Sequence, residues 1–160
     1  MLRNAYISLG ANLGDRERSL RRAIELLGTR EGIRVARVSS LRETEPWGTV
    51  EQPSFLNAAA ELETSLEPRE LLDALLAVEC GLGRVRAGPR YGPRTIDLDL
   101  LVYGDAVVAE PGLVLPHPRL HERRFALEPL AELDPDLVVP GYGPVSALLA
   151  ALDRGINHLD

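Results

Sequence analysis

The chain has 160 residues, 24 acidic against 18 basic, for a net charge of −6 at pH 7, and a pI near 5.1. Every basic residue other than histidine is arginine, which excludes a Walker-type Gly-x-x-x-x-Gly-Lys phosphate loop, and the acidic balance lacks the basic footprint of a nucleic-acid-binding protein. No apolar run approaches the roughly 18 residues needed to span a bilayer, no basic-then-apolar leader opens the chain, and the single Cys80 permits no internal disulfide. The expectations are one domain over residues 1–160, a reducing cytoplasmic setting, and no membrane partner.

Asn4 to Leu9 reads as a strand, followed by a turn over Gly10-Ala11-Asn12-Leu13-Gly14-Asp15, whose glycines have the wrong spacing for a dinucleotide fingerprint. Leu20, Ile24 and Leu27 recur at helical spacing until Gly28. Ile33 to Ser40 alternates as a second strand continuing through Leu41 towards Thr44. Residues 45–53 carry the only tryptophan, Trp47, among prolines and glycines, a composition suited to a lid or a pocket wall. Phe55 to Leu62 is a third strand with Phe55 and Asn57 on one face, where a ring and an amide together suit a flat heterocycle. Pro68 opens a second helix that ends at Gly81, with Leu71, Leu72, Leu75, Leu76 and Val78 as its apolar stripe and Cys80 as a small buried residue.

Arg84, Arg86, Arg90 and Arg94 then fall within a Gly- and Pro-rich loop. A local cationic surplus in an acidic chain points to a small anionic ligand. The next strand, Thr95 to Tyr103, bears Asp97 and Asp99 at i, i+2 among leucines. On a strand both acids share one face with Cα atoms about 7 Å apart, where they can converge on hard cations bound jointly with nucleotide phosphates. Gly104-Asp105 reads as a hairpin turn into Ala106 to Val108. Pro116 to Phe125 gathers His117, His121, Arg119, Arg123 and Arg124; phosphate contacts suit it better than zinc, because no Glu follows the first His. Val145 to Leu152 is a closing helix. Strands and helices mix without regular βαβ alternation, which predicts an α+β sandwich with a mainly antiparallel sheet.

Five segments, Tyr6 to Gly14, Gln52 to Ala58, Gly83 to Arg86, Gly92 to Asp99 and Pro116 to Leu120, together resemble the 6-hydroxymethyl-7,8-dihydropterin pyrophosphokinases of folate biosynthesis. The resemblance implies a ferredoxin-like α+β fold, usually monomeric. It implies transfer of a pyrophosphoryl group from ATP to the pterin's hydroxymethyl oxygen, with release of AMP. It matches Asp97 and Asp99 to the ligands of two Mg2+ ions and Arg84 and Arg94 to catalytic arginines. Glu79, Arg86, Tyr91, Arg94, His117 and Arg123 match ATP contacts. Thr44, Pro46, Trp47, Phe55, Asn57 and Phe125 match the pterin pocket. Leu76, Gly112 and Pro118 stand where some members have side chains that reach the nucleotide. Another metal-dependent phosphoryl- or nucleotidyl-transferase is the alternative, distinguishable by its products.

Overall fold

The computed structural model describes residues 2–12, 15–44, 54–82 and 96–159. Its central sheet is built from β1 (Arg3–Ala11), β2 (Ile33–Val38), β3 (Arg42–Thr44), β4 (Phe55–Thr64) and β5 (Asp97–Tyr103), with helices α1 (Arg16–Thr29) and α2 (Pro68–Gly81) between strands. Two small hairpins follow, β6 (Val108–Glu110) with β7 (Leu113–Leu115) and β8 (Val138–Val139) with β9 (Gly143–Pro144), together with helices α3 (Arg124–Leu133) and α4 (Val145–Leu159). The sheet order is β2-β4-β1-β5, with β3 pairing β4 further along, and the recorded pairings are antiparallel. Setting β3 aside, β1-α1-β2-β4-α2-β5 is the split βαβ connectivity of ferredoxin-like sandwiches, so the expected fold class holds.

Both sheet-covering helices start on local chemistry. Asp15 caps α1 by accepting from the Arg18 N–H at 3.1 Å. Pro68 occupies the first turn of α2, where its missing N–H costs nothing, and Glu70 reaches back to the Glu67 N–H at 2.8 Å. The two helices cover one sheet face, where Leu20, Leu27, Leu71 and Leu75 meet Ile7, Leu9 and Leu62, all essentially inaccessible to solvent. Burying each such side chain contributes about 1.5–3 kcal/mol.

The opposite face is divided along its length. Tyr6, Ala59, Leu101 and Val102 form a second core with Leu127 and Leu130 of α3 and Val145 of α4. At its edge Tyr6 donates to Glu61 at 3.2 Å, and Arg37 bridges Glu61 and the Leu133 carbonyl at 2.6 Å each, tying β2 and β4 to the end of α3. Burial and the Glu61 charge push the Tyr6 hydroxyl up to about 12, so it stays a neutral donor. Beyond this core the same face carries Ser8, Gly10, Asn57, Asp97 and Asp99 in register. The cover stops where the polar residues begin.

Several boundaries differ from the sequence expectations. Gly10 and Ala11 belong to β1 and not to a turn. The second strand does not run on to Thr44: Val38 faces Ala60 while Arg42 faces Asn57, so four steps on one side oppose three on the other. Ser39 occupies the break, donating its N–H to the Ala59 carbonyl and accepting the Ala59 N–H on its Oγ, both at 2.9 Å. The Gly104 turn does not lead to a partner for β5. Residues Val108–Glu110 pair instead with Leu113–Leu115, and Gly104 donates its N–H to the Asn4 carbonyl at 2.8 Å. Cys80 is exposed, because Val78 and Glu79 take the buried face of α2 at that turn. The closing helix extends past Leu152 to Leu159.

Candidate functional site

Asp97 and Asp99 start β5, both half-buried, while Leu98 and Leu100 between and after them point into the first core. Strand alternation thus puts the acids on the face that α3 leaves uncovered. Asp97 pairs in register with Gly10 and Asp99 with Ser8. From the far side of the cleft, Arg123 brings its guanidinium to 4.0 Å from Asp99 Oδ2 and lies 5.6 Å from the centre of the Phe125 ring, an attractive cation–ring arrangement.

Across β1 the other half of the site forms around Gly10. Its partner on β4 is Asn57, and a Cβ on Gly10 would stand 2.8 Å from Asn57 Oδ1 and 3.8 Å from Phe55 Cδ1. Both side chains therefore lean over the bare backbone of Gly10, and only a residue without Cβ leaves them room. Asn57 is largely buried, and its amide donates to Thr44 Oγ1 in a short hydrogen bond. Thr44, Phe55 and Asn57 thus form one cluster. Gly10 lies between it and Asp97 on a single face, with Asn57 and Asp97 two strand spacings apart, about 10 Å.

His117 follows β7 and donates its backbone N–H to the Leu101 carbonyl of β5 at 2.8 Å. Burial, then the neighbouring Arg123 and Arg119 charges, push its imidazole down to about 4. At neutral pH the ring is uncharged, and because Nδ1 accepts the Arg119 N–H at 3.2 Å the proton belongs on Nε2. Positive potential around a neutral N–H donor is a setting for an anion. His121, which follows on a 3-10 turn over Leu120–Glu122, stacks on Tyr142 with ring centres 4.6 Å apart.

Glu79 is placed differently from an open contact surface. It is buried on α2, and its carboxylate accepts the Leu98 N–H at 2.6 Å. It therefore holds the backbone between the two acids from the helical side. Arg84, Arg86, Tyr91, Arg94, Pro46 and Trp47 lie outside the described residues. Sequence reasoning missed the role of Gly10, although its period-two alternation with Ser8 and Asn12 was the signal that it continues the strand.

Among the described residues, no group of three or more His, Cys, Asp or Glu side chains could hold a metal ion. The acid pair is the kind of donor set that Mg2+ uses when phosphate oxygens complete its shell, so the residues fit that ion.

One open face of this ferredoxin-like sandwich thus carries an acid pair, an arginine facing it and a ring-plus-amide cluster. The family model of 7,8-dihydro-6-hydroxymethylpterin-pyrophosphokinase (HPPK) matches residues 6–135. The chain is 47% identical over 157 residues to the 2-amino-4-hydroxy-6-hydroxymethyldihydropteridine pyrophosphokinase of Methylorubrum extorquens, covering 98% of each chain. It is 49% identical over 129 residues to the Bacillus subtilis enzyme of that name, covering 81% of this chain and 77% of the relative. It also resembles a solved HPPK-DHPS in complex with substrates, with TM-score 0.77 at 10% identity, covering 99% of this chain and 45% of that one. The chain therefore spans less than half of that longer solved protein, and that likeness bears on the fold. The chain belongs to the HPPK family and is an enzyme, a pyrophosphokinase of folate biosynthesis.

Proposed function

We propose that the protein transfers the pyrophosphoryl group of ATP to the hydroxymethyl oxygen of 6-hydroxymethyl-7,8-dihydropterin, releasing AMP, with two Mg2+ ions as cofactor. The observation that carries this reading is the register through Gly10, which sets Asn57 and Asp97 on the two flanking strands with their side chains on one face. A ring lying over Gly10 has Asn57 at its amide-like edge, and a substituent on its other side points along the sheet towards the acids.

Asp97 and Asp99 would hold the magnesium together with phosphate oxygens, where it supplies charge neutralisation of the triphosphate. The acceptor is an ordinary alcohol, so the protein's task is to align its oxygen with the β-phosphorus and to stabilise charge on the phosphates and the departing AMP. Asn57 and Thr44 orient the pterin by hydrogen bonds, and Phe55 and Phe125 supply ring contacts, with Pro46 and Trp47 completing the pocket. Arg123 faces the phosphates from the α3 side, and the His117 Nε2–H is a neutral donor to a phosphate oxygen. Arg84, Arg86, Tyr91 and Arg94 come from the intervening segment, with Arg84 and Arg94 compensating charge in the transition state. Glu79 acts on the nucleotide side through the strand that it holds. None of these groups is asked to be a nucleophile, and no covalent intermediate is required.

We infer further that the enzyme works as a cytoplasmic monomer on these small molecules, without nucleic acid or membrane. The acidic charge speaks against a nucleic-acid partner, and no helix among the described residues is long and apolar enough to cross a membrane. The test is direct: incubate the protein with ATP, magnesium and hydroxymethyl-dihydropterin, and separate the nucleotides. AMP in proportion to pterin pyrophosphate is the expected result; ADP or free pyrophosphate as the stoichiometric product overturns the reading.

A further inference from the structure

β3 is three residues long and pairs with β4, yet it ends in Thr44, the acceptor of the Asn57 amide hydrogen bond. So short a strand holds its position weakly by ladder bonds alone. Glu132, near the end of α3, adds to them. Its Oε2 accepts the backbone N–H of Ser40 at 2.7 Å, and its Oε1 accepts the Ser40 hydroxyl at 2.7 Å and the Arg42 guanidinium at 3.0 Å. These bonds span about ninety residues of sequence and join the strand to the helix that carries Phe125 at its start.

The geometry selects a particular consequence. Ser40, Arg42 and Thr44 alternate along the chain, and side chains at that period share a strand face. Glu132 thus grips the face on which Thr44 meets Asn57, and Arg42 is the register partner of Asn57 itself. On the far side of the same stem, Arg16 donates to the Ser54 carbonyl at 2.7 Å and stands 3.7 Å from Glu43, touching both approaches to residues 45–53. The Ser40 hydrogen bonds, followed by Arg42, hold the Glu132 carboxyl below its ordinary value. The charged form that makes the grip is therefore the one present at neutral pH, and charge-assisted hydrogen bonds are the stronger kind.

We propose that Glu132 is a positioning residue for the acceptor pocket: it clamps β3 to α3 and so fixes Thr44, and through it the Asn57 amide, at the distance that a flat heterocycle needs. The role rests on the reading of Thr44 and Asn57 as pterin-binding residues. A carboxylate serving only general stability would affect both substrates alike, whereas the clamp acts on one.

The experiment compares steady-state constants of the wild type with Glu132→Ala, Glu132→Gln, Ser40→Ala and Glu128→Ala, following AMP release with ATP, magnesium and hydroxymethyl-dihydropterin. Glu132→Ala is expected to raise the pterin KM at least tenfold with the ATP KM within twofold. Glu132→Gln, which keeps an acceptor oxygen, recovers part of the loss. Ser40→Ala, which removes one of the bonds and is the milder variant if Glu132→Ala fails to fold, raises the pterin KM by a smaller factor. Glu128→Ala, one turn earlier on α3 and paired with Arg124, leaves both constants unchanged. A parallel rise in both KM values, or an unchanged pterin KM in Glu132→Ala and Ser40→Ala, overturns the positioning role alone. A wild type that releases no pterin-dependent AMP overturns the reading of the site, and the clamp's function with it.

Discussion

Asp99 and Arg123 face each other across the open end of the cleft, Oδ2 to guanidinium nitrogen 4.0 Å. That separation is too long for a hydrogen bond and close enough for attraction. The acid sits on a sheet strand and the arginine at the start of a helix, so the gap between them is set by how α3 packs on the sheet.

For the acids, Asp97→Ala and Asp99→Ala are each expected to lower kcat by more than tenfold, a loss above about 1.4 kcal/mol of transition-state stabilisation. Both acids face the cleft and not the core, so the melting temperature should move by only a few degrees. Steady-state turnover beside a thermal melt checks this. A variant keeping more than a tenth of the rate is not missing a metal ligand.

Gly10 gives a test that removes no polar group. Gly10→Ala should weaken pterin binding through a Cβ placed 2.8 Å from Asn57 Oδ1, and Asn57→Ala should do the same by removing the amide. Affinity for a non-hydrolysable ATP analogue should change little in either. Calorimetric titration of each ligand separately decides it, and equal losses for both ligands would indicate general misfolding.

Arg123 and Arg84 should separate in kinetics. Arg123→Ala is expected to weaken nucleotide binding, and Arg123→Lys to restore it only in part, because a point charge lacks the planar fork and the contact with the Phe125 ring. Arg84 belongs to the Gly- and Pro-rich segment outside the described residues, and a group engaged mainly in the reacting complex acts on the rate. Arg84→Ala should therefore lower kcat by orders of magnitude while the dissociation constant of the ATP analogue hardly changes. A fall in analogue affinity proportional to kcat would make it a ground-state anchor.

His117 sets a pH signature. Its folded value of about 4 lies below the ordinary 6.5, so between those values the unfolded chain binds a proton that the folded one does not. Stability is then lost as pH falls from about 6.5 towards 4, and this group contributes no slope above that window. His117→Asn should shrink the difference between melting temperatures at pH 7 and pH 4.5. An unchanged acid slope would place the titration elsewhere.

Much of this was legible in the chain because it depends on local rules. Alternation placed Asp97 with Asp99 and Phe55 with Asn57, and Pro68 and Gly81 bounded a helix to the residue. Other features depend on contacts distant in sequence. Helix α3 has Pro129 inside it, which hides its periodicity, and nothing near Glu132 indicates that it binds Ser40. The break at Ser39 exists because a hydroxyl takes over a ladder position on β4, a choice made only once the strands meet. For Glu79, the neighbours in sequence do not show that its carboxylate meets the Leu98 N–H.

That last contact also bears on how the molecule behaves in a crowded solution. β5 is an outer strand of the sheet, and a bare strand edge invites another chain to add to it. Here the Leu98 N–H is engaged by Glu79 and the Leu101 carbonyl by His117. At the other margin, β2 presents Arg34 and Arg37, held by Glu63 and Glu61. An intruding strand would have to displace a buried carboxylate on one side or lie against charge on the other. Glu79→Leu should thus show its cost in the aggregation of concentrated protein as well as in turnover.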